Sequence, residues 1–195
     1  MQRLWKLVLP IFCAYSLSLS AAESQETFPK QVTVDYEGKN VTLNETGSAA
    51  RKKFFVKVYS IAHYLQEGSS PNGQDPFTFL LEDGPIKQYT MKWSRDVPAS
   101  KIKETYHESF KSALTPHEHQ AIHQEIETYI SFFGQDAKKG DEYALRWLPK
   151  GNIEVYINGS KVGSIANVAF AKALWNLWLG NKSVVDRKQL VSMLK

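Results

Sequence analysis

Three histidines close together in the chain have the spacing that most directly suggests a chemical role. His119 and His123 stand four residues apart on a predicted helix, so both could coordinate one divalent ion. A third ligand would have to come from His117, Glu127 or a more distant residue, and no zincin motif is present. His119 and His123 also border the apolar stripe of this helix, where partly buried histidines are common. We therefore predict no metal site.

A predicted long strand from Lys53 to Leu65 carries the other polar side chains of interest. Successive side chains of a strand point to opposite faces. One set should face the core: Phe54, Val56, Val58, Ala62 and Tyr64. The other set is mixed, as expected for the wall of a cleft: Phe55, Lys57, Tyr59, Ile61 and His63. We expect Lys57 and Tyr59 to project from the same face.

The first 22 residues have the organisation of a cleavable signal peptide. Arg3 and Lys6 precede an apolar run from residue 7 to residue 19, and Ser20-Ala21-Ala22 supplies the small residues before a cleavage site. A membrane anchor is the alternative, but an apolar helix of this length spans only about 20 Å, against about 30 Å for the bilayer core. We predict cleavage after Ala22 and a periplasmic or secreted domain covering residues 23–195.

Composition limits the classes of function that remain. Cleavage would reduce the net charge from +4 to +2, because Arg3 and Lys6 would be removed. A charge this small and scattered does not favour nucleic acid or a polybasic membrane contact. No later apolar run is long enough to span a bilayer. The only cysteine is Cys13, so the exported domain must be stabilised by packing rather than by disulfides. Nothing in the sequence suggests a cofactor.

The remaining pattern predicts antiparallel strands followed or separated by helices. Turn residues at 37–40 and at Asn158-Gly159 predict hairpins. Helices are predicted to begin near Pro98 and at the capping box from Thr115 to Glu118. A late helix over about 166–179 is apolar on most of its surface and should be almost enclosed. These elements favour one α+β domain with an antiparallel sheet and its helices on one side.

Three segments, taken in order, resemble the secreted bacterial branch of the chalcone isomerase-like family. The first runs from LNETG at 43–47 through RKKFFVKVY at 51–59 to Tyr64-Leu65. The second is WSRDV at 93–97, before a predicted helix. The third extends from VYING at 155–159 through Phe170 to WLG at 178–180. The resemblance implies an open-faced β-sandwich, in which a large antiparallel sheet carries helices on one face and a ligand cleft lies between them.

The resemblance also implies that the isomerase chemistry of the family is not retained. The family's enzymes cyclise chalcones to flavanones with an arginine, a threonine, a tyrosine, an asparagine and a further serine or threonine. The arginine corresponds to Arg51 and the threonine to Tyr59, whereas the other positions fall near Pro98, Thr105 and Ala171. Proline has no hydroxyl group that could order a water molecule, and the alanine side chain has no donor.

A second branch of the family resembles fatty-acid-binding proteins, in which an arginine and a tyrosine hold a carboxylate in an apolar cleft. The resemblance assigns these roles to Arg51 and Tyr59. A guanidinium group can donate two parallel hydrogen bonds to a carboxylate and a phenol can donate a third, so the pair suits an amphipathic acid. Eight residues of straight strand would separate the two by about 26 Å, so they converge only if the chain bends between Arg51 and Lys53. Lys57, on the expected face of Tyr59, is the alternative cation.

We therefore expect a non-catalytic binder of a small amphipathic or carboxylate ligand, such as a fatty acid. One alternative is an isomerase or intramolecular lyase, with Arg51 stabilising an enolate and Tyr59 donating a proton. A second alternative is a scaffold for a protein partner, which predicts no continuous cavity behind Tyr59.

Overall fold

Seven antiparallel strands form one sheet in which each strand pairs with the next along the chain. The computed structural model of the protein describes residues 27–194, so the signal peptide predicted at residues 1–22 lies outside the described range. The strands are β1 (Gln31–Tyr36), β2 (Lys39–Lys53), β3 (Val56–Gln66), β4 (Lys87–Trp93), β5 (Glu142–Leu148), β6 (Asn152–Ile157) and β7 (Ser160–Ala166). The predicted large antiparallel sheet is confirmed.

The helices pack on one face of this sheet, as expected. Helix α1 (Pro76–Leu80) connects β3 to β4, and α2 (Ala99–Ala113), α3 (Pro116–Ala121) and α4 (His123–Ser131) connect β4 to β5. Helices α5 (Val168–Leu179) and α6 (Arg187–Leu190) follow β7. Within residues 27–194, every helix is too short or too polar to cross a bilayer.

The two faces of the sheet carry separate clusters of buried side chains. The larger cluster lies beneath the helices and includes Trp147, Trp175 and Trp178. A smaller cluster lies on the opposite face and includes Phe28, Leu43 and Tyr64, without any helical residue. The sheet is therefore buried on both faces near its middle, where most residues of β3 and β4 are buried.

Local sequence signals explain where several helices begin. The predicted capping box is present, since the Thr115 side chain accepts from the Glu118 amide and the Glu118 side chain accepts from the Thr115 amide. The helix that it starts breaks at Ile122, which is buried, and resumes as α4. Asn167 begins α5 by accepting a hydrogen bond from the Phe170 amide at 3.1 Å.

The predicted long strand from Lys53 to Leu65 is wrong at its start. The chain instead runs along β2 as far as Lys53, reverses at Phe54 and Phe55, and returns along β3 from Val56. Both turn residues have left-handed backbone angles, with φ of 48° and 68°. Convergence of Arg51 and Tyr59 required a bend between Arg51 and Lys53, and the reversal instead follows Lys53. This reversal forms a hairpin that was not predicted from the sequence.

The predicted orientation of β3 is also corrected. Tyr59, Ile61 and His63 point toward the helices, where the first two belong to the larger core and His63 is fully buried. Ala62 and Tyr64, which were expected in the main core, belong to the smaller cluster on the opposite face. The face that looked mixed is therefore the one covered by helices, because its polar groups find partners there.

Candidate ligand-binding site

A cavity of about 370 Å³ opens between the sheet and helix α2, near the reversal from β2 to β3. This volume lies toward the lower end of the range of about 300–1,000 Å³ that is typical of small-molecule sites. Its walls are mainly apolar and come from β3, β4, α2 and the end of α5. They include Val58, Met91, Trp93, Ile102, Leu177 and Trp178. The arrangement suits a ligand with a substantial apolar part.

Arg51 and Tyr59 both line this cavity. They are direct cross-strand partners in the register of β2 and β3, because the chain reverses between them. The Arg51 side chain is half-buried, and its Nη1 donates a hydrogen bond of 3.0 Å to the Val184 carbonyl, which belongs to another cavity-lining residue. The structure thus brings together the two residues that the sequence analysis paired, while their binding role stays a prediction.

The hydroxyl group of Tyr59 accepts one hydrogen bond and has its hydrogen free to donate. Its oxygen accepts a hydrogen bond of 3.0 Å from Trp178 Nε1. No residue in the described range accepts a hydrogen bond from the Tyr59 O–H. Burial raises the pKa of Tyr59, and the Trp178 hydrogen bond and the Arg51 charge oppose this shift only in part. Tyr59 therefore stays neutral at physiological pH and remains able to donate a hydrogen bond to a ligand.

Additional charged side chains surround the opening of the cavity. Lys53, Arg95 and Lys101 contribute positive charge, and Asp96 and Glu108 contribute negative charge. Two of the five are paired with residues outside the cavity lining: Lys101 Nζ lies 2.7 Å from the Glu104 carboxylate, and Asp96 lies 3.7 Å from Lys138 Nζ. With Arg51 included, the lining carries more positive than negative charge, which favours an anionic ligand.

A β-bulge explains why Lys57 does not line the cavity. Arg51 pairs with Tyr59, but the next residue, Lys52, pairs with Lys57, so Val58 is an extra residue in β3. Two consecutive residues, Val58 and Tyr59, consequently both line the cavity. The strict alternation of side chains between the two faces of the sheet is therefore interrupted between Tyr59 and Lys57. Lys57 is set apart from Tyr59 by this bulge, and its role as the alternative cation stays a prediction.

His63 also lies away from the cavity lining, within a buried chain of hydrogen bonds. Trp175 Nε1 donates to His63 Nε2 at 3.3 Å, so the ring hydrogen is on Nδ1, which lies 2.8 Å from Thr46 Oγ1. Thr46 Oγ1 in turn donates to the Leu190 carbonyl at 2.7 Å. Burial and the nearby Lys87 charge lower the pKa of His63 to about 3. Its role is to join β2, β3, α5 and the segment after α5.

The other histidines do not form a ligand set. The rings of His119 and His123 lie 5.8 Å apart, and both His123 and His107 approach the Glu127 carboxylate, at 3.9 and 3.5 Å. Over the part of the chain that the structure describes, no group of three or more His, Cys, Asp or Glu residues is arranged to hold a metal ion.

The positions that the family resemblance matches to catalytic residues mostly line the same cavity. Pro98 and Thr105 line it together with Arg51 and Tyr59. Ala171 is fully buried in the core and does not contribute to the lining. Four of the five positions therefore line one cavity.

Three contributors to the cavity were not predicted from the sequence. Trp178 lies on the late helix that was expected to be almost enclosed, yet its indole donates to the Tyr59 hydroxyl, and the Val184 carbonyl accepts from Arg51. Trp93 also lines the cavity, and its buried Nε1–H has no partner among the described residues. Sequence spacing gives no signal for these contacts, because they depend on how α5 and the following segment pack on the sheet.

Comparison with known proteins agrees with this architecture. A family model described as chalcone isomerase-like matches residues 22–194. A solved structure of a fatty-acid binding protein from Arabidopsis thaliana superimposes with a TM-score of 0.65 at 13% sequence identity, covering 82% of this chain and 96% of that one. No curated protein sequence matches this chain significantly. The structural likeness establishes the fold.

Proposed function

The chain belongs to the chalcone isomerase-like family, and from that premise we propose that it binds a small amphipathic carboxylic acid, such as a fatty acid, without catalysing a reaction on it. The observation that carries this proposal is the position of Arg51 and Tyr59 in one apolar cavity. A guanidinium can bind a carboxylate through two parallel hydrogen bonds, and a neutral phenol can donate a third. The apolar wall would then cover the hydrocarbon part of the ligand.

The structural relative from Arabidopsis supports this choice of ligand class. That protein is a fatty-acid binding protein, and its fold covers most of the present chain. The proposal adds to this likeness the specific side chains of the present cavity. A charged head at Arg51 and an apolar tail along residues such as Met91 and Leu177 would satisfy the two kinds of surface in the cavity.

The state of Tyr59 argues for binding rather than catalysis. A general acid or base works best when its pKa lies near the operating pH. Burial instead raises the pKa of Tyr59 above its ordinary value. Pro98 and Thr105, at the positions of the family's tyrosine and asparagine, do not restore the missing groups. An isomerase or intramolecular lyase remains the alternative function, with the same two residues in catalytic roles.

The cavity itself argues against a purely structural scaffold. A packed scaffold domain would fill the space behind Tyr59 with side chains, whereas here about 370 Å³ is open and lined mainly by apolar groups. Unfilled apolar space costs stability. A site that is kept open despite this cost is better explained by a ligand than by a partner that binds only the outer surface.

We further propose that the protein acts outside the cytoplasm. The signal-peptide pattern of residues 1–22 supports export, and the absence of cysteine from residues 23–195 is compatible with an oxidising compartment. N-terminal sequencing of the protein from a periplasmic fraction would test this, and a chain that still begins at Met1 in the cytoplasm would contradict it.

Calorimetry with decanoic acid and an Arg51→Gln variant tests the binding proposal. We expect the wild-type protein to bind and the variant to lose about 10- to 100-fold in affinity, because a hydrogen bond to a charged group contributes about 1.5–3 kcal/mol. Arg187→Gln is a matched control, since Arg187 donates to the Leu179 carbonyl at 2.9 Å but does not line the cavity.

Two further measurements separate the alternatives. Native mass spectrometry of the protein purified from its host should detect a co-purified acid. An empty protein that also gives no heat with decanoic acid would overturn the binding proposal. Incubation with chalcone tests the catalytic alternative, which fails if cyclisation is no faster than in buffer and Arg51→Ala changes nothing.

A further inference from the structure

The tip of the hairpin between β2 and β3 exposes unusually large apolar side chains. Phe54, Phe55 and Val56 are 85%, 99% and 47% exposed, and these are the most exposed large hydrophobic residues in the described part of the chain. They are consecutive and therefore form one protruding surface, which we call the aromatic tip. Single exposed apolar residues need no explanation, but a contiguous protruding group often marks an interaction site.

The backbone of the aromatic tip is also unfavourable for its residues. Phe54 and Phe55 both have positive φ, a conformation that asparagine and glycine adopt far more easily than bulky residues. The two other two-residue hairpin turns in the described chain have the same pair of positive angles, but glycine occupies the second position of each, at Gly38 and Gly159. Neither burial nor turn geometry accounts for two phenylalanines here. Strain of this kind points to a functional reason.

The ends of β2 and β3 next to the aromatic tip carry only positive charge. Residues 48–66 contain the cations Arg51, Lys52, Lys53 and Lys57 and no aspartate or glutamate. Lys53 is exposed, and the pKa of Glu104 on α2 is lowered by the Lys101 hydrogen bond and charge, with a smaller contribution from the Lys53 charge. The overall net charge of the chain is small, but positive charge is concentrated in this hairpin. Phenylalanine tips flanked by lysines are complementary to a lipid interface that carries anionic headgroups.

We propose that the aromatic tip docks onto the surface of an anionic bilayer, with Phe54 and Phe55 inserted at the interface and the lysines on the headgroups. Lys53, Phe54 and Val56 also line the opening of the cavity that contains Arg51 and Tyr59. Docking therefore brings that opening to the region of the bilayer where an amphipathic acid resides. The docking step stands on the hairpin alone, and the exchange of an acid with the bilayer rests on the function proposed above.

Vesicle flotation with the protein purified from its host tests the docking. The vesicles contain phosphatidylcholine alone or phosphatidylcholine and phosphatidylglycerol at about 3:1. We expect binding to the anionic vesicles, weakened by salt, and at least a tenfold loss for the double variant Phe54→Asn/Phe55→Gly. This variant has the sequence that the turn prefers, so it should unfold at a higher temperature than the wild type, which separates lost docking from lost folding.

Matched variants identify the groups responsible. Val162→Thr removes another exposed apolar side chain, on β7, and should keep vesicle binding. Lys53→Glu/Lys57→Glu should abolish binding to anionic vesicles, whereas Lys39→Glu, in the β1–β2 turn region, should not. Wild-type protein that ignores anionic vesicles, or a double Phe variant that binds them equally well, overturns the proposal. Loss of self-association in that variant, with vesicle binding unchanged, would instead assign the tip to contacts between copies.

Two variants keep the docking and the ligand-binding proposals distinguishable. Phe55→Gly changes a residue that does not line the cavity, so it should lose vesicle binding and keep its affinity for decanoic acid. Tyr59→Phe should show the opposite pattern, with weaker acid binding and unchanged flotation. If no acid binds but Phe55→Gly still prevents flotation, the docking stands while the ligand-binding proposal fails.

Discussion

Trp178 donates a hydrogen bond of 3.0 Å from its indole Nε1 to the hydroxyl oxygen of Tyr59. An indole N–H can only donate, so the phenol oxygen must act as acceptor in this contact. The phenol hydrogen then remains for another partner, and none is found among residues 27–194. The pair therefore orients a neutral hydrogen-bond donor in the wall of the cavity.

Replacing Tyr59 by phenylalanine should weaken both ligand binding and the fold. The affinity for decanoic acid should fall by about 10- to 100-fold, and the free energy of unfolding by about 1–3 kcal/mol, because Trp178 Nε1 loses its acceptor. Tyr89→Phe is the control, since the Tyr89 hydroxyl is buried without a partner in the described chain and does not line the cavity. We expect unchanged affinity and equal or greater stability for this control. Calorimetry and urea unfolding measure both effects.

The affinity for saturated acids should rise with chain length until the cavity is full. Each added methylene group that is buried contributes about 0.8 kcal/mol, or roughly a fourfold increase in affinity. A titration series from hexanoic acid upward would locate the length at which the increase stops. The alcohol of the same length should bind more weakly, because it cannot accept both hydrogen bonds of the Arg51 fork. An alcohol that binds as tightly as the acid would contradict the role of Arg51.

His63 should make the protein less stable at acidic pH. Its pKa is lowered to about 3 in the folded protein, against 6.5 for an unperturbed histidine, so the unfolded chain binds a proton first as the pH falls. The contribution of His63 is fully present above about pH 6.5 and is lost between that pH and about 3, at up to about 1.4 kcal/mol per pH unit. Urea unfolding of wild type and His63→Gln from pH 4 to 7 checks this.

The His63→Gln variant should have a lower free energy of unfolding at pH 7, because Trp175 and Thr46 lose well-placed partners. Its dependence on pH should nevertheless be less steep than that of the wild type. His117→Gln replaces an exposed histidine and serves as the control. Parallel pH curves for wild type and His63→Gln would mean that the buried ring is not responsible.

Gly163→Ala should destabilise the protein for a steric reason. A Cβ atom at this position would overlap the aromatic ring of Phe132, which packs against β7. Overpacking of this kind typically costs about 1–3 kcal/mol. Gly134→Ala is the control, because a Cβ there meets no atom within 4 Å. Combining Gly163→Ala with Phe132→Leu should recover part of the loss in urea unfolding, and the absence of any recovery would mean that the clash lies elsewhere.

The predictable parts of this fold are those with a strong local signal. The Asn158-Gly159 turn and the Thr115 capping box satisfy known backbone requirements with the residues best suited to them, and both are present. The family resemblance gave the sheet with helices on one face. The turn and the capping box depend on short stretches of chain, and the family resemblance depends on the order of motifs along the chain. A single sequence is therefore sufficient to find them.

The reversal at Phe54 and Phe55 was missed because its residues contradict its geometry. Two consecutive phenylalanines favour an extended strand, so the sequence predicts one continuous strand where the chain in fact turns. The extra residue in the β3 bulge at Val58 then shifts which side chains share a face, and this separated Lys57 from Tyr59. The position of Arg51 beside Tyr59 could therefore be anticipated, whereas that of Lys57 could not, because a bulge leaves no local mark in the sequence. The binding roles of the three residues stay predictions.

The segment that follows α5 matters for anyone who wishes to modify this protein at its C-terminal side. Val184 contributes both a cavity wall and the carbonyl that positions Arg51, while the Leu190 carbonyl and the Met193 amide are hydrogen-bonded to Thr46. An affinity tag, a fusion or a truncation that disturbs residues 184–193 would thus alter the binding cavity from a distance. An attachment point at the β1–β2 turn, near Glu37 and Gly38, avoids these contacts.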